Sequence, residues 1–309
     1  MVEVQANKGT IKDRLSSLST FPDERGIKLE DKQTFDALFR QLQPEISEFS
    51  FTNLFCWQEA YSLAISRLDD FLIISSKQDD DVLFFAPLGN GDLKGIVRVC
   101  LKQVPGARVF RVPASLALLF SNEAGFKIKE DRDNYDYIYR RVDLVELKGK
   151  KYDAKRNFIR RFINTYKPVL RKMSEADIEN CLKFQEEWCD YRSCGNDAGL
   201  MREKEAIREM LSNFEALQLS GVVIEINAKL EAFSLGEKLN DTTFVVHAEK
   251  GNGKFVGIYQ AINNFFASSI PESFSFINRE QDLGLMNLRK AKTSYQPHTF
   301  IKKFIVSKS

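Results

Sequence analysis

Apolar and polar positions fall into runs whose period changes repeatedly along the chain. In the second half, "YKPVLRKM" (166–173) reads as a short strand. "SEADIENCLKFQEEWC" (174–189) then turns to a helical period, with Ile178, Leu182, Phe184, Gln185 and Trp188 on one stripe. Ser174 and Asp177 flank its start as a capping pair. "REKEAIREMLSNFEAL" (202–217) is a second helix, faced by Ile207, Met210, Leu211 and Phe214. The period then drops to two. "GVVIEI" and "LEAFSLGE" flank "NAK" as a hairpin, and "TFVVHAE" is a third strand. A helix over 256–269, the strand "SFSFIN" (273–278), a helix over 283–295 and the strand "TFIKKFIV" (299–306) complete the half.

The first half follows the same plan. "GIKLE" (26–30) reads as a strand, and helices follow over 31–42, with Asp31 as N-cap, and 51–60. Strands are expected over 61–67, 71–76 and 82–87, then a helix from about Leu93, a strand over 107–112, a helix over 114–125 and a strand over 135–140. A glycine loop sits before the third helix of each half. "GNGDLKGI" begins at Gly89 and "GNGKFVGI" at Gly251, with identical glycine spacing. The repeated order β-α-α-β-β-β-α-β-α-β predicts two domains, 1–145 and 146–309.

Composition narrows the class. At 309 residues, with 43% hydrophobic residues, the chain has material for two cores. A net charge of +2 gives no general attraction to nucleic acid or anionic membrane. Five cysteines do not suggest a disulfide framework and fit a reducing, cytoplasmic setting with buried thiols. Cys181, Cys189 and Cys194 lack the spacing of a zinc site, so no metal is expected. No apolar run is long enough to span a bilayer, and the amino terminus "MVEVQANKGTIKDRL" has no leader-like apolar core.

The element order resembles the Gcn5-related N-acetyltransferase (GNAT) fold in tandem: α+β, each domain a mixed, mostly antiparallel sheet flanked by helices. That resemblance implies a fourth and fifth strand that run parallel and splay apart, with a glycine loop opening the intervening helix onto a donor's pyrophosphate. Free N–H groups at a helix N-terminus bind anions in general. In the second loop Lys250, Gly251, Asn252, Gly253, Lys254 and Gly257 are the donor-binding candidates; in the first, Asp92 would repel a phosphate. Either loop also reads as a plain strand-to-helix turn.

Two further segments, K-G-K-K-Y-x-x-x-R-N from Lys148 to Asn157 and N-R-E-Q-D-x-G from Asn278 to Gly284, carry a closer resemblance. The chain is similar to the DUF2156 family, whose members resemble the C-terminal catalytic domain of phosphatidylglycerol lysyltransferases. The resemblance implies a scaffold related to aminoacyl-tRNA-dependent transferases. It implies no tightly bound cofactor, with acyl-coenzyme A or aminoacyl-tRNA as donor substrate. The acceptor would be a small-molecule or lipid-like amine or hydroxyl.

Within that frame, Asn278, Arg279, Glu280 and Asp282 follow a buried strand at its carboxyl end, where a splayed sheet opens. Asn278, Arg279 and Asp282 are substrate-binding candidates, with N-capping the plainer role for Asp282. Glu249 and Glu280 are candidate bases for an attacking amine. His247 joins them, or is a satisfied core residue. Tyr295 is the tyrosine available as general acid, or a packed core residue; His298 lies after Pro297, toward the surface. Lys151, Arg156 and Asn157 lie in a basic, aromatic-interleaved segment suited to RNA phosphates, or to a solvated helix. The sequence predicts an acyl- or aminoacyl-transferase; the alternative is a non-catalytic module binding RNA or a small anion.

Overall fold

A computed structural model describes residues 11–78 and 81–309. The expectation of no leader rests on residues 1–15, of which 1–10 lie outside the described residues. The fold is α+β, and the chain divides into two compact units.

The first unit holds residues up to Gln43, Gln58–Asp131 and Lys303–Ser309. Its strands are β1 (Leu63–Leu68), β2 (Phe71–Gln78), β3 (Asp81–Phe85), β4 (Leu88–Gly89), β5 (Arg108–Pro113) and β6 (Phe126–Glu130). The chain's last strand, β14 (Lys303–Lys308), lies between β5 and β6. β3 and β5 run parallel over three residue pairs.

The second unit holds Pro44–Trp57 and Arg132–Lys302. Its strands are β7 (Asp136–Arg140), β8 (Val169–Lys172), β9 (Ser220–Ile226), β10 (Lys229–Lys238), β11 (Thr243–Gly251), β12 (Phe276–Asn278) and β13 (Thr299–Ile301), ordered β13-β7-β12-β11-β10-β9-β8. Asn227 and Ala228 both take left-handed φ, 52° and 60°, the turn that matches hairpin twist, so β9 and β10 pair closely as expected. Helix Ile258–Ser269 packs its buried Ile258, Ile262 and Phe266 in a core with Val222, Ile224 and Phe244.

A division at residue 145 is therefore corrected. Strand 136–140 has four of its five residues buried and pairs with β12 and β13, so it belongs to the second sheet. The expected strand 299–306 is two strands in two sheets, broken at Lys302. "GIKLE" forms no strand: Asp31 accepts from Arg25 and from the Lys28 N–H, and Gln58 Oε1 takes the Ile27 N–H at 2.9 Å, which turns the segment. β6 was missed because its short F-K-I-K-E alternation follows directly on an expected helix.

Candidate functional site

β11 and β12 pair in parallel only from Thr243–Phe276 to Val245–Asn278. β11 then continues to Gly251, while the chain after Asn278 follows β7, the Arg279 N–H donating to Tyr137 O at 3.0 Å. A gap opens between them, bridged by side chains.

On β11, register slips between Leu235–Ala248 and Gly236–Val246, so His247 is the extra residue of a bulge. Gly236 permits the bulge: a Cβ there would stand 2.2 Å from Val245 O. His247, with its side chain fully buried, sits between two carboxylates, Nδ1 to Glu280 Oε1 and Nε2 to Glu237 Oε1, each at 2.9 Å. Burial pulls its pKa down, but the hydrogen bonds and charges of Glu237 and Glu280 reverse this and lift it to about 9. At neutral pH it is an imidazolium.

Glu280 is further fixed by Asn53 Nδ2 at 2.9 Å and donates its own N–H to Asn278 Oδ1 at 2.8 Å. Asn278 Nδ2 reaches Asp136 Oδ2 at 3.0 Å; the Ser47 N–H and Gln281 Nε2 donate to the same carboxylate. Buried Lys292 donates to the carbonyls of Arg279 and Gln281, holding the turn from beneath. Burial, then the charge of Arg279, lowers its pKa to about 8.

A second group lines the gap nearer the glycine loop. Arg279 Nη2 donates to Glu249 Oε1 at 3.1 Å, and Asn263 Nδ2 to Glu249 Oε2 at 3.2 Å. Arg279 Nη1 and Asn263 Oδ1 are buried without a hydrogen-bond partner among the described residues. Buried polar atoms are rarely left so; here a donor and an acceptor flank one carboxylate. The Arg279 guanidinium lies 5.1 Å from the Tyr295 ring centroid, and Lys155 Nζ lies 4.3 Å from it. Burial holds the Tyr295 hydroxyl well above the usual phenol range. Burial, then Arg279, lowers the Lys155 ammonium.

Other candidates fall elsewhere. Asp282 is not the N-cap, a position Leu285 takes; its buried carboxylate accepts from Tyr137, Arg289 and the Gly284 N–H. Burial raises its pKa, and the bonds from Arg289 and Tyr137 outweigh that, holding it at about 2. Lys250 is buried and donates to Glu203 Oε2 at 2.7 Å. Gly257, φ 100°, lies so close to helix Asp153–Tyr166 that a Cβ would stand 2.6 Å from Phe158 O. Asn252 Nδ2 is held by Glu231 at 2.7 Å, while Gly253 and Lys254 are exposed. Arg156 is spent on the carbonyls of Leu147 and Gly149, whereas Lys151 and Asn157 are exposed. In the first unit Asp92 caps its own helix through the Gly95 N–H, at 3.0 Å.

Glu237, Asn53 and Asn263 were missed. Asn53 reaches Glu280 across 227 residues, which no local pattern reveals. Glu237 lies one residue before the end of β10, just past the apolar stretch of that strand, and Asn263 lies on the buried stripe of its helix; those two carried a signal. The thiol expectation is also corrected: Cys189, in the last turns of helix Ile178–Arg192, and Cys194, just past its end, form a disulfide, while Cys56, Cys100 and Cys181 are free and buried. Among the described residues no cluster could hold a metal, and no helix is long and apolar enough to cross a membrane.

The family described as phosphatidylglycerol lysyltransferase, C-terminal, matches residues 39–307. A conserved protein of unknown function from Bacteroides thetaiotaomicron VPI-5482 is 37% identical, with a TM-score of 0.87 over 93% of this chain and 99% of that one. The DUF2156 C-terminal domain of a putative lysylphosphatidylglycerol synthetase from Agrobacterium fabrum is 10% identical (TM-score 0.64; 90% of each chain). L-PGS from Bacillus licheniformis is 13% identical (TM-score 0.64; 92% and 94%). An uncharacterized protein of Mycoplasmoides gallisepticum is 20% identical over 204 residues; the match spans 62% of this chain and 65% of that relative's length.

Proposed function

The chain belongs to the phosphatidylglycerol lysyltransferase C-terminal family, and on that footing we propose that its second unit transfers an aminoacyl group from aminoacyl-tRNA to an amine or hydroxyl acceptor. The reaction takes place in the gap between β11 and β12. The observation that carries the reading is the partnerless Arg279 Nη1, buried beside the Glu249 carboxylate where the strands part.

Each role follows from chemistry. Attack on the ester carbonyl puts negative charge on its oxygen, and Arg279 Nη1 is a preorganised donor for that charge. Glu249 takes the acceptor's proton on Oε2, the oxygen it shares with Asn263 rather than with Arg279. Tyr295, kept protonated by burial, gives a proton to the departing ribose oxygen. His247 and Glu280 lock the bulge and the turn, so they position rather than react. Between Lys148 and Lys172 there are ten lysines and arginines against the single acid Asp153; Arg156 and Arg171 are tied to local partners, and exposed Lys148, Lys150, Lys151, Arg160 and Arg161 form a strip suited to RNA phosphates.

Several features favour aminoacyl-tRNA over coenzyme A. Two ion pairs occupy the gap, Lys250 is committed to Glu203, and Gly257 is pressed against helix Asp153–Tyr166. In the first unit, Asp92 speaks against a donor site at that loop.

Thermal melts with charged tRNA, uncharged tRNA, coenzyme A and acetyl-coenzyme A test the reading. Ligand at 100 times Kd adds about 2.7 kcal/mol of stability. Charged tRNA should raise Tm by several degrees and more than uncharged tRNA does. A shift given by coenzyme A but not by charged tRNA refutes the aminoacyl assignment.

A further inference from the structure

A cluster of aromatic and cationic side chains surrounds the glycine loop, outside the gap itself. Tyr191, in the last turn of helix Ile178–Arg192, is 65% exposed, and Tyr259, in the first turn of helix Ile258–Ser269, is 38% exposed. Half-buried Trp188 joins them: its Nε1 donates to the Tyr259 hydroxyl at 3.3 Å. That hydroxyl donates to Gly251 O at 2.8 Å, tying the aromatics to the end of β11. Cations alternate with the rings. Lys250 Nζ lies 3.9 Å and the Arg192 guanidinium 5.6 Å from the Trp188 ring, and Lys254 Nζ lies 5.9 Å from that of Tyr191. Gly253 leaves the loop open, since a Cβ there would meet nothing within 4 Å.

We propose that this rim is a stacking platform for the unpaired 3′ end of an RNA donor. Every nucleobase offers a π-face, so exposed aromatic rings bind unpaired bases without regard to sequence, and the exposed cations Arg192 and Lys254 neutralise the intervening phosphates, while Lys250, held by Glu203, only backs the Trp188 ring. An acidic peptide would not need the rings, and a lipid surface, which Trp and Tyr also suit, would not distinguish an overhang from a blunt RNA end. Position agrees with chemistry. Glu249 precedes Gly251 by two strand residues, about 7 Å. A terminal nucleoside stacked on the rim therefore places its ester-linked group in the gap. The inference rests on the aminoacyl-tRNA reading and adds the surface that recognises the RNA end.

The two tryptophans, Trp57 and Trp188, make the test spectroscopic. A Trp57→Phe variant reports Trp188 alone. It is titrated with an uncharged RNA minihelix bearing a four-nucleotide unpaired 3′ end and with the same minihelix made blunt. The overhang should quench Trp188 and the blunt form should not. Tyr191→Ala should weaken overhang binding about tenfold, as expected from losing one stacked base. Anisotropy of the labelled minihelix with the unsubstituted protein gives the overhang-versus-blunt comparison without reliance on the Trp57 variant. Equal quenching and equal affinity for both RNAs, or an unaltered Tyr191→Ala, overturns the platform. The two proposals fail separately: transfer from charged minihelix at full rate in Tyr191→Ala removes the platform alone, while overhang binding without any transfer removes the aminoacyl reading alone.

Discussion

His247 offers the sharpest physical test of how the gap is held. Its pKa near 9, against about 6.5 in an unfolded chain, means that the native state binds the proton more tightly. The stabilisation is complete below the unfolded value and disappears as pH rises through the folded one. The full shift corresponds to about 3 kcal/mol, of which about 2 kcal/mol is lost between pH 5.5 and 8. That window matters because Lys292, lowered to about 8, acts in the opposite direction at higher pH: the unfolded chain then holds the proton better, so stability is regained. Urea denaturation of the wild type and of His247→Gln at pH 5.5 and pH 8 isolates the histidine. The wild-type advantage should shrink by about 2 kcal/mol across the window. NMR of the two histidines, with His298→Gln to assign them, should show the His247 imidazole titrating near pH 9. A constant advantage, or a His247 titration near 6.5, refutes the carboxylate sandwich as the source.

Three further outcomes follow from the geometry. Gly257→Ala must accommodate a Cβ against Phe158 O at a φ of 100°, so denaturant unfolding should show a loss of about 2–4 kcal/mol; less than 1 kcal/mol would mean the helices do not touch there. Glu249→Gln, close in shape, should lower single-turnover transfer by about 10²–10⁴-fold when assayed below the variant's own Tm, which loss of the counter-charge to Arg279 lowers, and an undiminished rate removes Glu249 as base. Titration of the unfolded, unreduced protein should find three thiols, and Cys194→Ser should cost about 2 kcal/mol for so short a loop; five thiols would mean that Cys189 and Cys194 are not joined.

Much of the second unit could be read in advance because its signals are local. The hairpin turn at Asn227, the Ser174–Asp177 cap and the strand–loop–helix passage through Gly251 each depend on neighbours within a few residues. The same locality explains the failures. The traffic of β7 and β14 between sheets is a matter of long-range pairing, and F-I-K-K-F looks continuous in sequence although Lys302 divides two ladders. At the site, Glu249, Arg279 and Tyr295 were singled out by position after buried strands or within a helix, and the fold gathers them. Glu280 and His247 are candidates too; of their partners, Glu237 sits ten residues away on the preceding strand and was legible, whereas Asn53 comes from a helix 227 residues from Glu280 and was not. Lys250 is a donor-binding candidate by its charge, yet a charge is available to a ligand only if no partner has claimed it, and Glu203 has.

The most direct measurement is a crosslink. An RNA minihelix charged with a photoreactive amino acid is irradiated with the full chain, and the modified peptides are identified by mass spectrometry. The account predicts adducts within Val246–Gly251 and Arg279–Tyr295, with loss of the adduct in Arg279→Met. Adducts concentrated around Gly89–Gly95, or an Arg279→Met protein labelled as strongly as the wild type, would contradict it.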